Sequence, residues 1–319
     1  MRTVLSRKFW SFILVSLPLF ASAQDQSLVE RLGYPADAKL LIVHADDMGM
    51  SHNVNVATLK GMTEGWISSA SIMVPCPWFP EAAAMAKEHP DLDLGIHLTL
   101  TAEWRYYRWG PVSPLSQVPG LLDKEGFLPR GVMGVASRAT AEEVETEIRA
   151  QVQRALDFGI QPTHVDTHMG TLFARPDYFE AYRKVAHEFK LPYLLPRPTP
   201  ELLAAVGPQG KMFTPERVAE VEKSGDIMID WLDTGINAPP EKRTEGYVDF
   251  AKGLRPGVTE LIIHCGADSD ELRAITSSWA QRVADARAFT DPAVKKALDE
   301  VGARLIGWAA IKKLQYGNN

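Results

Sequence analysis

The sequence predicts an α/β fold, a (β/α) barrel of the TIM type with room for distortion. Two observations point there: short, nearly continuous apolar runs recur through the chain, and amphipathic segments alternate with them. A third disfavours the runner-up, an open doubly wound sheet, because no Gly-rich phosphate loop follows the first run.

The apolar runs occupy residues 40–45, 69–74, 94–100, 163–168, 192–195, 227–232, 260–264 and 304–308, eight strand candidates in all. Brief runs with little polar alternation suit parallel strands covered on both faces. Helical patterns lie at 54–64, 80–88, 140–158, 176–189, 215–223, 246–254 and 277–300, the last expected to break before Pro292. In the segment 140–158, Val144, Ile148, Val152 and Leu156 form one stripe, Thr140 with Glu143 forms a capping box, and Gly159 with Pro162 supplies the stop. Unbroken alternation predicts one domain over residues 24–319. One connection, residues 102–139, is long and rich in Trp, Tyr, Gly and Pro, which marks it as a candidate functional lid.

Ahead of the first run, Arg2, Arg7 and Lys8 flank an apolar stretch from Phe9 to Phe20 that ends in Ala21-Ser22-Ala23. That is the pattern of a secretory signal peptide over residues 1–23, with a mature chain beginning near Gln24 and a secreted or periplasmic location. An uncleaved anchor is the alternative, but about a dozen apolar residues fall short of the roughly 20 that span a bilayer. No later segment is long enough, so no stable membrane span is expected. The formal charge is −6, losing the signal makes it more negative, and no basic run remains, so no nucleic-acid partner is expected. Cys76 and Cys265, the only two cysteines, form neither a disulfide framework nor a zinc site; two free buried thiols are expected, although an oxidising compartment would let them pair. A homo-oligomer is left open.

Active sites of such barrels lie at the carboxyl ends of the strands. The first run closes with His44-Ala45-Asp46-Asp47, the third contains His97, the fourth carries His164, Asp166 and His168, and the seventh ends at His264. Five of eight histidines therefore fall on strands or their ends. Taken singly, such a histidine is usually hydrogen-bonded core and such an aspartate a cap or turn. Two adjacent carboxylates are different: they repel and resist desolvation unless a cation or strong donor compensates them. One Asp with His97 and His168 makes a facial ligand set for a divalent cation, leaving the other Asp as a base. Strand alternation puts His164, Asp166 and His168 on one side, so Asp166 is suited to fixing a histidine tautomer, while His164 fits equally a polar layer closing the barrel floor. The same alternation predicts that Asp46 and Asp47 diverge.

At these motifs the chain resembles the YdjC (ChbG/HpnK) deacetylases, relatives of the NodB-type polysaccharide deacetylases. The landmarks are Val43 to Gly49, Gly95 to Leu100, Pro162 to His168, and Glu260 to His264 with Gly266. The resemblance implies a metal-dependent carbohydrate deacetylase acting on an acetylated sugar, whether a chitin-type oligosaccharide, another acetylated glycan, an acetyl ester or a glycolipid. Asp47, His97 and His168 would hold one divalent ion, commonly magnesium, with zinc or another ion possible, and Asp46 would be the base. The leaving amine needs a proton, and His264 at the opposite strand end is the candidate acid, with a buried structural histidine as the alternative. Arg197 becomes a candidate partner for Asp46, with a surface arginine as the alternative. Trp104 or Trp109 would contact sugar, with a lid packed on itself as the alternative. Met169, Gly170 and Cys265 depart from the family pattern at the pocket wall. The competing functions are a non-haem iron oxygenase with the same ligands, which leaves Asp46 without a task, and a secreted sugar-binding protein with a degenerate site.

Overall fold

The computed structural model describes residues 26–317, so residues 1–23, read above as a signal peptide, lie outside the described residues. Among the described residues seven parallel strands form one sheet: β1 (Lys39–Met48), β2 (Ser69–Ile72), β3 (Leu94–Leu98), β4 (Val165–Thr167), β5 (Trp231–Asp233), β6 (Gly257–His264) and β7 (Arg304–Leu305). The main path runs β4-β3-β2-β1-β6-β5. Single parallel bridges, Val165 with Tyr193 and Pro196 with Ile229, carry pairing from β4 round toward β5, so the sheet curls into a barrel.

The expected barrel is thus present, with two of its eight predicted staves altered. Residues 192–195 make only bridges, because Pro192 and Pro196 lack the N–H a ladder needs. β7 pairs with Leu40 and Leu41 on the edge of β1 that β2 takes from His44 onward, so it adds no stave of its own. Trp308, expected at a strand end, instead opens a helix after Gly307.

The longer helices are α1 (His52–Glu64), α2 (Phe79–Glu88), α3 (Ala141–Asp157), α4 (Pro176–Glu188), α5 (Pro215–Ser224), α6 (Arg243–Lys252), α7 (Trp279–Ala288), α8 (Pro292–Glu300) and α9 (Trp308–Tyr316). Both halves of the Thr140–Glu143 capping box are formed at the start of α3. The expected break falls between α7 and α8, where Asp291 caps the second helix and Pro292 opens it.

Strand alternation separates two interiors. Leu41, Val43 and Ala45 of β1 join Ile96, Leu98, Leu261 and Ile263 in the layer beneath the helices. Leu40 and Ile42 face the barrel axis with Val258, Ile229 and Trp308. Continuing in phase with Leu40 and Ile42, His44 and Asp46 also point inward, as do Ser69 and Ser71 of β2. The barrel is therefore apolar toward the amino ends of its strands and polar toward their carboxyl ends.

Gly95 of β3 shows how closely this interior is filled. A Cβ there would lie 2.3 Å from Cε1 of His164. That ring stacks on Trp308 at 5.0 Å and 18° and meets His44 edge-on at 5.0 Å, so it has no free direction of retreat. Gly95→Ala is expected to destabilise the protein by about 1–3 kcal/mol through overpacking. A urea midpoint equal to the parent's would show that His164 has room to yield.

Candidate metal centre

Four strands deliver the site. Alternation turns His44 and Asp46 of β1 inward, and a register shift between Ala45 and Met48 then interrupts the ladder. Within it Asp47 adopts φ 71°, a left-handed conformation that Asp tolerates better than most side chains. The expected divergence of the two aspartates is therefore corrected: both face His97, with Asp46 Oδ2 at 3.7 Å and Asp47 Oδ1 at 3.4 Å from its Nε2.

Ligand atoms of Asp47, His97 and His168 all lie within 4.8 Å of one another. Asp47 Oδ1 stands 3.4 Å from His97 Nε2 and from His168 Nδ1, and these two nitrogens are 3.0 Å apart. The opposite edge of each ring is held by a carboxylate. Asp166 Oδ1 lies 2.8 Å from His97 Nδ1, and both oxygens of Glu103 lie 3.1 Å from His168 Nε2. With protons on those outer nitrogens, the inner ones are the atoms that would present lone pairs to a cation. Asp46 Oδ1 and Asp47 Oδ1 are buried and accept no hydrogen bond. Two imidazole lone pairs and buried carboxylate oxygens converging in one place are a donor set that fits a divalent cation. His44, His164 and Asp166 also cluster deeper in the barrel, but Ser69, Ser71 and Thr163 already engage those rings, and neither imidazole lines the cavity.

The electrostatics follow from this packing. Burial alone would raise Asp47, but Arg282 and the two imidazoles hold it well below the usual carboxylate range. Burial would lower His97, yet Asp166 and Asp46 keep it well above the usual histidine value. His168 is raised to about 9, Glu103 and Asp47 overcoming its burial. Protons thus bridge these groups when nothing else does, and a bound cation would replace them. Asp166 is the hub: besides His97 it accepts from Ser71 Oγ at 2.7 Å and meets His44 Nε2 at 2.9 Å. Despite burial, the two histidines lower it.

His264, at the end of β6, faces the same cavity with its Nε2 3.8 Å from Asp46 Oδ2, and its side chain is 38% exposed. Desolvation lowers its pKa. The cavity measures about 440 Å³ and reaches Asp46, Asp47, Glu103, His168, His264 and Arg282.

One expectation is corrected here. Arg197 is a surface residue that pairs with Glu222 at 3.1 Å and Asp230 at 3.7 Å, not with Asp46. The guanidinium at the centre belongs to Arg282 of α7, which donates to Asp47 Oδ2 at 2.6 Å. Trp104 and Trp109 do not line this cavity, but Trp104 lines an adjoining one of about 420 Å³ together with Glu103, Arg105 and Arg282. Trp109 is buried and donates to the Thr101 carbonyl, while Trp104 lies beneath Arg282 and donates to Glu103, so much of the long loop packs on itself. Sequence reasoning missed Arg282 and Glu103. The only trace of Arg282 is the burial of Arg282 and Asp285 three residues apart on α7, which in sequence looks like a solvated helix face. Cys76 and Cys265 are buried and free, and burial pushes both thiols up.

A curled parallel α/β barrel whose strand ends gather an Asp–His–His set defines a barrel protein with a candidate divalent-cation centre. The chain belongs to the YdjC-like protein family, which it matches over residues 40–300. It is 34% identical over 290 residues to a carbohydrate deacetylase of Thermus thermophilus, covering 91% of this chain and 99% of that one. It is 27% identical over 271 residues to a chitooligosaccharide deacetylase of Yersinia enterocolitica, covering 84% and 97%. The crystal structure of a candidate cellobiose-phosphate cleavage protein from Enterococcus faecalis V583 shares the fold, with a TM-score of 0.71 at 22% identity over 86% of this chain and 99% of that one.

Beneath the centre, Glu260 of β6 is fully buried and accepts from Trp308 Nε1 at 3.0 Å. Burial pushes it up to about 8, only partly offset by His44. A carboxyl whose folded pKa is raised favours folding most below its unfolded pKa and loses that contribution as pH rises through the folded one. Glu260→Gln keeps an acceptor for Trp308 without the charge. Its stability relative to the parent is expected to improve steadily between about pH 4.5 and about pH 8, read from urea midpoints across that range. A constant difference across the range would mean that Glu260 does not titrate there.

Proposed function

We propose that this chain is a carbohydrate deacetylase that removes acetyl groups from N-acetylated sugars, using one divalent cation held by Asp47, His97 and His168. The observation that carries this is the convergence of those three side chains beside a cavity that Asp47 and His168 line, in a chain 34% identical to a relative named carbohydrate deacetylase. A second relative, named chitooligosaccharide deacetylase, supports an N-acetyl amide as the bond cleaved. By family resemblance the ion is magnesium, although imidazole-and-carboxylate sets also accept zinc, manganese or cobalt. We further propose that residues 1–23 are a cleaved signal and that the protein works outside the cytoplasm; N-terminal sequencing of the exported chain should then begin near Gln24.

When bound, the cation would supply Lewis acidity, making water easier to deprotonate and the amide carbonyl more electrophilic. The chain's own residues do the rest. Asp46 has a buried oxygen that accepts no hydrogen bond and takes the proton of the attacking water. His264 faces Asp46 across 3.8 Å, which positions its ring to pass a proton from the Asp46 side to the departing amine. Asp166 and Glu103 hold the rings of His97 and His168 by their outer nitrogens, and Arg282 holds Asp47. The water supplies hydroxyl to the acetyl carbon and hydrogen to the nitrogen, giving acetate and a free amine.

Chelation is expected to abolish acetate release from N-acetylated sugars and a divalent ion to restore it, with the ion found by reloading stripped protein with each candidate in turn. Undiminished turnover after verified removal of metal would refute the metal-dependent mechanism.

The adjacent aspartates should separate by role. Asp47→Asn is expected to lose bound metal and activity together, whereas Asp46→Asn keeps its metal and loses roughly 10²–10⁴ in rate. Metal content of both purified variants, read beside acetate release, decides this. Loss of metal from Asp46→Asn, with metal and activity kept in Asp47→Asn, would reverse the assignment.

A further inference from the structure

We infer that the substrate of this site carries a carboxylate near its acetamide, and that the cavity lined by Trp104 and Arg105 binds that acid. The inference rests on the deacetylase reading for the amide that is cleaved, and on this second cavity for the acid. The cavity shares Glu103 and Arg282 with the first, so its occupant lies within one sugar unit of the reacting bond. Thr276, Ser277 and Ser278 complete its wall.

Three features suit it to an anion. Arg282 is 7% exposed and donates from Nη2 to Asp47 Oδ2 at 2.6 Å and from Nε to Ser278 Oγ at 3.2 Å, while its buried Nη1 has no hydrogen-bond partner. A guanidinium nitrogen left bare in the interior is unfavourable until an acceptor reaches it. Ser278 immediately precedes α7, and its side chain does not cap that helix, so the first amides of α7 lack a capping side chain at the end where an anion is stabilised. Arg105, exposed at the same cavity, has no acidic partner among the described residues. Trp104 lies 4.8 Å from the Arg282 guanidinium carbon and holds the plane of that fork.

The balance of charge selects the kind of anion. Arg282 is answered by Asp47, and Glu103 by His168 at 3.1 Å, which leaves Arg105 unanswered among the described residues of the wall. One surplus positive charge suits a monoanion, and a planar guanidinium fork matches a carboxylate. A dianion such as a phosphate monoester would bring excess negative charge against Glu103.

The panel that tests this holds two acids: N-acetylmuramic acid, whose carboxylate hangs from the carbon next to the acetamide, and 2-acetamido-2-deoxyglucuronic acid, whose carboxylate lies across the ring. The methyl ester of each and N-acetylglucosamine 6-phosphate complete it. For one acid, kcat/KM for acetate release is expected to exceed that of its own ester by about tenfold to a hundredfold, the worth of a charge-assisted hydrogen bond. Arg105→Gln, at a metal content equal to the parent's, should remove most of that preference. A preference kept in Arg105→Gln would place the carboxylate on the cation and overturn the inference. Esters cleaved as well as their acids, or the 6-phosphate preferred to both acids, overturn it too and leave the deacetylase reading standing.

The product is a second source of the same chemistry. Inhibition by sodium acetate that Arg105→Gln relieves, without preference for either acid, would make the cavity an exit for acetate and overturn the claim about substrate. If no amide in the panel is cleaved, calorimetry on the metal-loaded protein decides. Methyl β-glucuronide and 3-O-carboxymethyl glucose, which carry no amide, are compared with methyl β-glucoside and 3-O-methyl glucose. Either acid binding more than about tenfold tighter than its neutral counterpart, with the gain lost in Arg105→Gln, upholds the cavity while the deacetylase reading alone fails. Equal binding overturns the inference as well.

Discussion

A carboxylate sealed inside a barrel must be answered by donors, and Asp166 is answered from three strands at once. His44 of β1, Ser71 of β2 and His97 of β3 all meet the two oxygens of this one β4 side chain. Removing one partner of such a set is far more costly than the net value of the set suggests, because the remaining charge stays buried. The consequence runs upward to the chemistry. By holding Nδ1 of His97, Asp166 leaves Nε2 facing the aspartates, and Glu103 does the converse for His168. Two histidines therefore offer different nitrogens to the same point, each for a stated reason.

The end of β1 shows the other half of the arrangement. A regular strand would send Asp46 to the barrel axis and Asp47 toward the helices, into the apolar layer of Met48 and Ile72. The left-handed Asp47 and the register shift bring the second carboxylate back to the axis. Residues held in this region of conformational space store of order 1–3 kcal/mol unless their surroundings over-determine them. Arg282, reaching from α7, and the two imidazoles supply that determination. The strain and its compensation lie at the centre where the chemistry is assigned.

Much of this was legible in the sequence, for physical reasons that can be named. The helix starting after Thr140 was readable because both members of its capping box are local, and the break at Pro292 because proline acts locally. His44, Asp46, His97, Asp166 and His168 stood out because titratable groups at the ends of apolar runs are expensive to bury. The failures have equally plain causes. Residues 192–195 are apolar enough for a strand, but the prolines on either side deny the ladder. Trp308 reads as the end of a strand until its indole is seen reaching Glu260. Arg197 lies near a strand end in sequence, whereas Arg282 reaches Asp47 across 235 positions, a contact that no local pattern encodes. Trp104 and Trp109 show that aromatic content identifies an ordered loop without saying which way its rings turn.

Trp308 has a consequence for the order in which the molecule can be made. β1 is the central stave, yet its longest pairing, from Lys39 to Asp46, is with β6, which begins at Gly257. The indole that covers His164 and binds Glu260 comes later still. A chain emerging from its amino end therefore carries His44, Asp166 and His164 through most of its synthesis without the elements that enclose them. Long-range pairings of this kind are slow to form and leave apolar edges open meanwhile. A half-made barrel exposes those edges, and α9, Trp308–Tyr316, closes it like a stopper.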